Sequence, residues 1–514
     1  MQSISGLHTV LRGIAVSCAA LIALGGVAAS QTRGGTVTMG VEQDIAGFDP
    51  IVVGVYDTGP MAAAALLFDT LTRLDDKGVV EPRLALSWSS SPDFKKWTFK
   101  LRPGVKFQDG SPFDAEAVAF NYDRMMDPAN NCRCAFFLNG ISNIDTPDEL
   151  TVVYHLRVPS VNFPALLSPP AVTNVFHSPK AIKELGEGYN HRPVGTGPFK
   201  LKSWQMGDRI VLERNPDYWN PGHPYLDEVV VRPLPDPGAR FASLVAGDVD
   251  IIWDDQADAI KKAMGMPSLK VNQYDGSGIS TIVLNVKKPP LDDIRVRQAL
   301  RYAADIQGFA DASAEGLYQP AKDPYGSGSF VKCKDPGTLP FDLAKAQALV
   351  KEYGKPINLK FMVTAEPRGM GIGQIFQEFW KAAGITVTLD PVDQTTFVTK
   401  SFQHDFEIGG WRIADLADPE PQMYADFHTG SPVNIAQYSN PEVDKLLEEA
   451  RSIADQEKRI ADYCQIAKIL NKEVPWIWLF SNHYFNIAKA ELKGVHKQYS
   501  NTVDIADAWW EKKK

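Results

Sequence analysis

Cysteine is scarce in this chain, five among 514 residues, and histidine little commoner at nine. Cys18 falls in an apolar stretch near the start; the others are Cys132, Cys134, Cys333 and Cys464. Cys132 and Cys134 flank a single arginine, with no second cysteine pair and no histidine pair nearby, which excludes a structural zinc site. A bridge between two such close cysteines would be strained. Cys464 shares a helical face with Ile460, Ala467 and Leu470 and is expected to be a buried thiol. His428 and His483 lie near loops of interest, but a satisfied or exposed histidine is the commoner outcome, and no metal or cofactor is expected.

Catalytic signatures are missing too. There is no GxSxG elbow, no HExxH and no phosphate-binding lysine loop. "GMGIG" (369–373) lacks the last spaced glycine of a dinucleotide fingerprint and reads as a helix start. No enzyme is expected. Apart from the last three residues there is no run of Lys or Arg, and the formal net charge is −9. Nucleic acid and anionic membrane are therefore poor partners.

Long apolar runs are absent beyond the first 30 residues. In those, Arg12 gives the positive n-region, an uncharged, mostly apolar segment rich in Ala and Gly follows over 13–29, and the small residues Ala28, Ala29 and Ser30 offer a cleavage site. This order is that of a cleaved secretory leader. No cysteine occupies a lipid-attachment position, so the mature chain is expected free in a periplasm, an oxidising compartment that permits disulfides.

What the chain does have is dense local patterning. Trp97, Phe99 and Leu101 alternate with Thr98 and Lys100, a half-buried strand. Pro103-Gly104 turns the chain and Val105 and Phe107 suggest a returning strand. Asp114 caps a helix with Ala115, Val118, Ala119, Tyr122 and Met126 on one stripe. From Ile357 the period switches back and forth. Ile357, Leu359, Phe361 and Val363 alternate, Ile372 to Ala383 form a helical stripe stopped by Gly384, and Ile385, Val387 and Leu389 alternate again. A short helix over 395–402 and a strand over 406–411 follow. Such β-α-β-α-β order implies parallel strands with right-handed crossovers, whose ligands bind beyond the carboxyl ends. Two loops open there, "TAEPRGMG" (364–371) and "RIADLADPE" (412–420). Helices over 443–453 and 460–470 and a buried strand "VPWIWLF" (474–480) complete the pattern.

The block "LALSWSSSPDFKKWTFKLRPGVKFQDGSPFDAEAVAFNY" (84–122) resembles the signature of family 5 solute-binding proteins, the peptide receptors of bacterial ABC importers. "GTGPFKL" (195–201), "RNPDYW" (214–219), "LDEVVVRPLPDPGARFASLVAGDVDI" (226–251), "DDIRVRQAL" (292–300) and "NPEVDKLLEEA" (440–450) follow in the family's order. The resemblance implies an α/β, two-lobed periplasmic-binding-protein fold of the large peptide-receptor type, with an extra subdomain in the first lobe. It places the leader at 1–30, lobe 1 at 31–283 with an insertion at about 67–190, lobe 2 at 284–490, and a return to lobe 1 at 491–514. Hinge crossings fall near Leu284 and Glu491. It further implies a monomer that closes on a peptide or small molecule and delivers it to permease subunits in the inner membrane. Opines, oligosaccharides and metal complexes are the alternative ligands, and a secreted hydrolase on this fold is the alternative of another class.

A zwitterionic ligand needs a carboxylate, a cation and aromatic walls. In peptide-binding members an aspartate three residues before an acidic-Pro pair takes the ligand's amine, and Asp415 stands so before Asp418-Pro419. Its spacing from Trp411 is one residue longer than in those receptors, and a loop or cap role is the plain alternative for either aspartate. Arg368 is the candidate cation, with Arg412 its competitor; a solvated loop arginine is the bland reading of both. Trp411 serves either as ligand wall or as core. Ser277 and Gly278 in "YDGSGIS" (274–280), Tyr56 in "FDPIVVGVYDTG" (48–59) and Tyr484 in "NHYF" (482–485) complete the candidate lining.

Overall fold

The computed structural model describes residues 31–511, except 55–57, 76, 170, 315, 417 and 498–502. The expected leader and Tyr56 lie outside the described residues. Ten strands build the main sheet: β1 (Thr36–Val41), β2 (Phe199–Gln205), β3 (Arg209–Arg214), β4 (Glu228–Pro233), β5 (Ile251–Asp254), β6 (Leu269–Leu284), β7 (Asn358–Thr364), β8 (Thr386–Val392), β9 (Ile408–Ile413) and β10 (Trp476–Lys489). Their spatial order is β8-β7-β9-β6-β10-β5-β1-β4-β3-β2. The fold is α/β and two-lobed.

Two long strands explain this order. β6 and β10 run antiparallel along each other, Leu269 opposite Lys489 at one end and Val283 opposite Trp476 at the other. At the first end β10 also pairs with β5, and at the second β6 pairs with β9. Each strand thus belongs to the first half of the sheet along one part of its length and to the second half along the rest. Their register slips between Asp275 and Ile279, where Gly276, Ser277 and Gly278 bulge out of the ladder.

Packing follows the same division. One apolar cluster gathers Val37, Met39, Phe48, Phe68, Phe99 and Phe199 with Leu492, Val503 and Ile505 from the chain's far end. Two others lie on the other half of the sheet, one around Phe361, Phe376 and Trp380, one around Phe427, Tyr463 and Trp476. A separate four-stranded sheet joins Ala85–Ser90, Lys96–Leu101, Thr151–Leu156 and Ile141–Asp148 beside the first cluster.

Local expectations fare unevenly. The parallel run is as its periodicity implies: β7 pairs in parallel with β8 and with β9, and helix Pro367–Ala382 crosses between them. Gly384 follows at φ +86, a conformation glycine adopts without strain. Asp114 caps helix Ala115–Met126 by accepting from the Ala117 N–H. The strand expected at Val105 and Phe107 does not form. Lys96–Leu101 pairs instead with Ala85–Ser90 and with the sequence-distant Thr151–Leu156. Only a single bridge, Lys106 to Pro112, remains, since proline has no N–H to continue a ladder. Phe107 turns inward to meet Phe113, ring centroids 5.7 Å apart.

Cys464 departs from its expected role. The buried face of helix Gln456–Glu473 is set by Arg459, Tyr463, Ile466, Ala467 and Leu470, which leaves Cys464 half-buried on the flank. There it forms a disulfide with Cys333, Cα atoms 5.3 Å apart. Cys132 and Cys134 are joined as well, with the Cys132 Sγ against the Pro50 carbonyl.

The Cys333–Cys464 bridge closes a loop of sequence separation 131, so it restricts the unfolded chain strongly. Cys333→Ser with Cys464→Ser is expected to lower stability by about 2–4 kcal/mol, read as a shift of the denaturant midpoint. Peptide mapping without reductant should recover the linked pair.

Candidate functional site

β9 ends at Ile413, and Asp415 follows in the loop beyond its carboxyl end. The Asp415 side chain turns back to the bulge of β6. Its Oδ1 accepts the Gly278 N–H at 2.7 Å and its Oδ2 accepts the Asn482 amide at 3.1 Å. Ser277 donates its hydroxyl to the Leu416 carbonyl at 2.7 Å. Asp415, Ser277 and Gly278 therefore form one cluster, together with Asn482 of β10. The glycines are required by close approach: a Cβ on Gly276 would lie 2.4 Å from Asp415 Oδ1, and one on Gly278 would lie 2.2 Å from the Ile413 carbonyl oxygen. Segment 326–328 lies along the same bulge, where the Gly326 and Gly328 N–H groups donate to the Ser277 and Gly276 carbonyls.

Asp418 has a different environment. It is 1 % exposed and accepts a charge-assisted bond from Arg459 at 2.6 Å. Two residues on, buried Glu420 accepts from Arg451 at 2.6 Å, and the Arg451 guanidinium lies 3.9 Å over the Tyr424 ring. Burial pushes the Glu420 carboxyl up to about 7, opposed by Arg451. These pairs fasten the loop that carries Asp415 to the helices behind it.

The other expected residues scatter. Trp411 stacks on Phe397 and meets Phe402 edge-on, at 6.4 and 6.1 Å between centroids, on the sheet face covered by helix Gln394–Phe402. Arg412 points to the opposite face, across from Ser280, whose hydroxyl reaches Asn482 at 3.4 Å. Arg412 is exposed and has no partner among the described residues. Tyr484 is buried on β10 across from Tyr274. Arg368, at the start of helix Pro367–Ala382, donates to Asp255 Oδ2 at 2.9 Å. Asp255 follows β5, so this ion pair joins the two halves of the sheet. Tyr318 adds a hydrogen bond to the Asp255 carbonyl at 3.3 Å. On another side the Val161 N–H donates to the Arg451 carbonyl at 3.1 Å, a second bridge between lobes.

Several residues escaped sequence reasoning. Asn482 sat inside the quoted "NHYF" but carried no charge to single it out. His483, next to it, was singled out from the sequence and expected to be satisfied or exposed; it is buried, donates through Nδ1 to Asp275 at 2.9 Å and lies 6.0 Å from the Tyr318 ring. Burial pulls its pKa down, against the effect of Asp275. Asp254 is fully buried, and burial raises its carboxyl to about 6 while Arg240 opposes the shift. Asp254, Asp255 and Trp253 follow the "AGDVDI" motif directly, and that adjacency was the available signal. The described residues contain no group of three or more His, Cys, Asp or Glu able to hold a metal ion. Among them no helix is long and apolar enough to cross a membrane.

Residues 79–433 match the family described as bacterial extracellular solute-binding proteins, family 5 Middle. The probable D,D-dipeptide-binding periplasmic protein DdpA of Escherichia coli (strain K12) is 32 % identical over 437 residues, covering 82 % of this chain and 83 % of that protein. The glutathione-binding protein GsiB of the same strain is 29 % identical over 461 residues, covering 82 % and 84 %. Among solved structures, the periplasmic binding protein DppA from Helicobacter pylori in complex with the peptide STSA superposes with a TM-score of 0.79 at 25 % identity, over 94 % of this chain and 99 % of that one. MoaA of A. tumefacien R10 in complex with mannopinic acid shares the fold, with a TM-score of 0.76 at 24 % identity over 94 % and 100 %. By sequence and by fold, this chain belongs to the family 5 bacterial extracellular solute-binding proteins.

Proposed function

We propose that this protein is the periplasmic receptor of an ABC importer, which captures a peptide or peptide-like molecule between its lobes and delivers it to permease subunits in the inner membrane. The observation that carries this reading is the placement of Asp415. A buried carboxylate sits where both crossing strands change lobes, at the open end of the parallel strands. An ammonium there meets a carboxylate oriented by a backbone N–H and an amide, in a setting that strengthens charge-assisted bonds. Arg412, exposed on the same face, is the cation within reach of a short ligand's carboxylate. The dipeptide- and glutathione-binding names of the relatives support a ligand with a free amine. Neither delivery nor capture needs a nucleophile or a base.

The mature chain is read as starting after residue 30, without lipid, as a monomer. Lobe 1 is read as 31–283 with its insertion at about 67–190, lobe 2 as 284–490 and 491–514 as the return to lobe 1, except that β6 and β10 are shared between the two lobes. The pivot is read at the bulge of Gly276, Ser277 and Gly278 and at the facing Asn482, rather than at Leu284 and Glu491, because β6 ends at Leu284 and β10 at Lys489, each inside one half of the sheet, whereas the ladder between them is interrupted at the bulge. Arg368 acts here as a clasp on Asp255, not as a ligand anchor. Closure is a hinge motion that brings Arg368 and Asp255 together.

Asp415→Asn is expected to weaken an amine-bearing ligand by about 2–5 kcal/mol, measured by calorimetry with Ala-Ala. Asp418→Asn should leave affinity nearly unchanged in the folded fraction and cost about 3–5 kcal/mol of stability, since Arg459 is left buried and unpaired. Equal affinity of wild type and Asp415→Asn would sink the amine anchor and favour an uncharged ligand such as an oligosaccharide.

Closure is tested by small-angle scattering. The radius of gyration should fall when ligand is added, and Arg368→Ala should shift the ligand-free protein towards the open form. If Arg368 is a clasp, Arg368→Ala and Asp255→Ala weaken every ligand by a similar factor, and the double variant is no worse than either single one. A loss confined to ligands with a free carboxylate would return Arg368 to the role of anchor.

A further inference from the structure

The face of β10 that carries Asn482 continues away from Asp415 into the first lobe. Alternate residues of a strand share a face, so Asn482, Tyr484 and Asn486 point the same way. Directly paired residues extend that face sideways. Tyr274 and Asn272 of β6 lie opposite Tyr484 and Asn486, and Trp253 of β5 lies opposite Asn486 on the other flank. The reverse face of the same strands carries the apolar cluster of Ile252, Phe485 and Ile487, with Asp254, Gln273 and His483 beside it.

Two atoms on this face lack what buried polar atoms ordinarily have. Asn486 is 2 % exposed, and its Oδ1 has no hydrogen-bond partner among the described residues. The buried Nε1 of Trp253 has none either. One is an acceptor, the other a donor, and they belong to residues directly paired across adjacent strands. Buried groups of this kind are nearly always satisfied, and each exception calls for a reason. Here a bound group would satisfy both at once.

We propose that Trp253 and Asn486 form a second ligand subsite, which takes one backbone unit of an extended peptide whose ammonium is held at Asp415. The proposal rests on the reading of the ligand as peptide-like. In an extended chain the N–H and C=O of one residue point to the same edge, as they do in a ladder. The carbonyl would accept from Trp253 Nε1 and the N–H would donate to Asn486 Oδ1, independent of the side chain at that position. From Asn482 to Asn486 the strand advances roughly 13 Å at about 3.3 Å per residue. An extended ligand of about four residues covers that length, whereas a dipeptide anchored at Asp415 stops short.

The test compares Trp253→Phe and Asn486→Leu with wild type, using Ala-Ala, tetra-alanine and maltotetraose as probes in calorimetry and thermal melts. Asn486→Leu removes an unsatisfied atom at similar bulk and should melt no lower than wild type without ligand; Trp253→Phe removes one too but trims a packed ring, so its own ligand-free melt is the baseline for its binding. Tetra-alanine should bind each variant about fivefold to tenfold more weakly, the loss of one hydrogen bond, and Ala-Ala should bind them as it binds wild type. Unchanged affinity for tetra-alanine in both variants overturns the subsite. An equal loss for Ala-Ala and tetra-alanine also overturns it, because a general effect on closure would then be at work. If maltotetraose binds wild type and is the probe sensitive to the variants, the amide assignment falls. If neither peptide binds wild type, the peptide reading itself fails and the subsite with it.

Discussion

The fold depends on two strands that refuse to stop at a lobe boundary. β6 and β10 are hydrogen-bonded to each other from Leu269 to Val283 and from Trp476 to Lys489, so each lobe is built on one end of the same ribbon. A two-stranded ribbon resists stretching but can twist, and its weakest place is where the ladder is interrupted. That place is the bulge at Gly276, Ser277 and Gly278. Asp415 is the side chain that ties it to the second lobe, and Asn482 ties Asp415 to β10. The candidate anchor for a charged ligand and the joint between the two halves of the sheet therefore share atoms: a group that perturbs the carboxylate would act on the point where the halves meet.

Much of the second lobe was legible because its information is local. Strand and helix periods alternate cleanly from Ile357 to Trp411, and the parallel pairing follows from the order of elements alone. The helix cap at Asp114 needed only a few adjacent residues. The first lobe was less legible for the opposite reason. Lys96–Leu101 has its partner at Thr151–Leu156 rather than at the adjacent Val105 and Phe107, and the choice is made by long-range pairing that no short window contains. The disulfide partner of Cys464 was hidden in the same way. Arg459 and Tyr463, not Ile460, define the inner face of that helix, and the resulting rotation brings Cys464 to the flank beside Cys333.

The site divides along similar lines. Ser277, Gly278 and Asp415 come together although they lie far apart in sequence, because the loop after a parallel strand opens at the sheet's carboxyl edge. Arg368 and Trp411 were placed by the same rule but are taken up by other partners, Asp255 and the Phe397–Phe402 pair. The rule locates an edge; it does not say which side chain faces the ligand. Asn482 and Asn486 were invisible for a chemical reason. Neutral amides carry no pattern in a sequence: Asn482 stands out only by its bond to Asp415, and Asn486 only by an oxygen left without a partner among the described residues.

The stiffness of the Asp415 loop comes from behind it. Asp418 and Glu420 flank a proline and bind Arg459 and Arg451, and all four side chains are buried. Buried ion pairs of this sort contribute little net stability compared with an apolar replacement, since desolvation offsets most of the attraction. What they do provide is a single geometry, because breaking either pair leaves a charge without compensation. Arg451 also links the loop to the first lobe, since its carbonyl accepts the Val161 N–H across the cleft. One face of the loop thus holds the candidate anchor, while the other is locked to a residue that touches the opposite lobe. A displacement of the loop on binding would reach the rim of the cleft through Glu420 and Arg451 without passing through the hinge. On the proposed reading, ligand chemistry and lobe contact would be coupled through a few charged side chains, and the two crossing strands would need only to supply the axis.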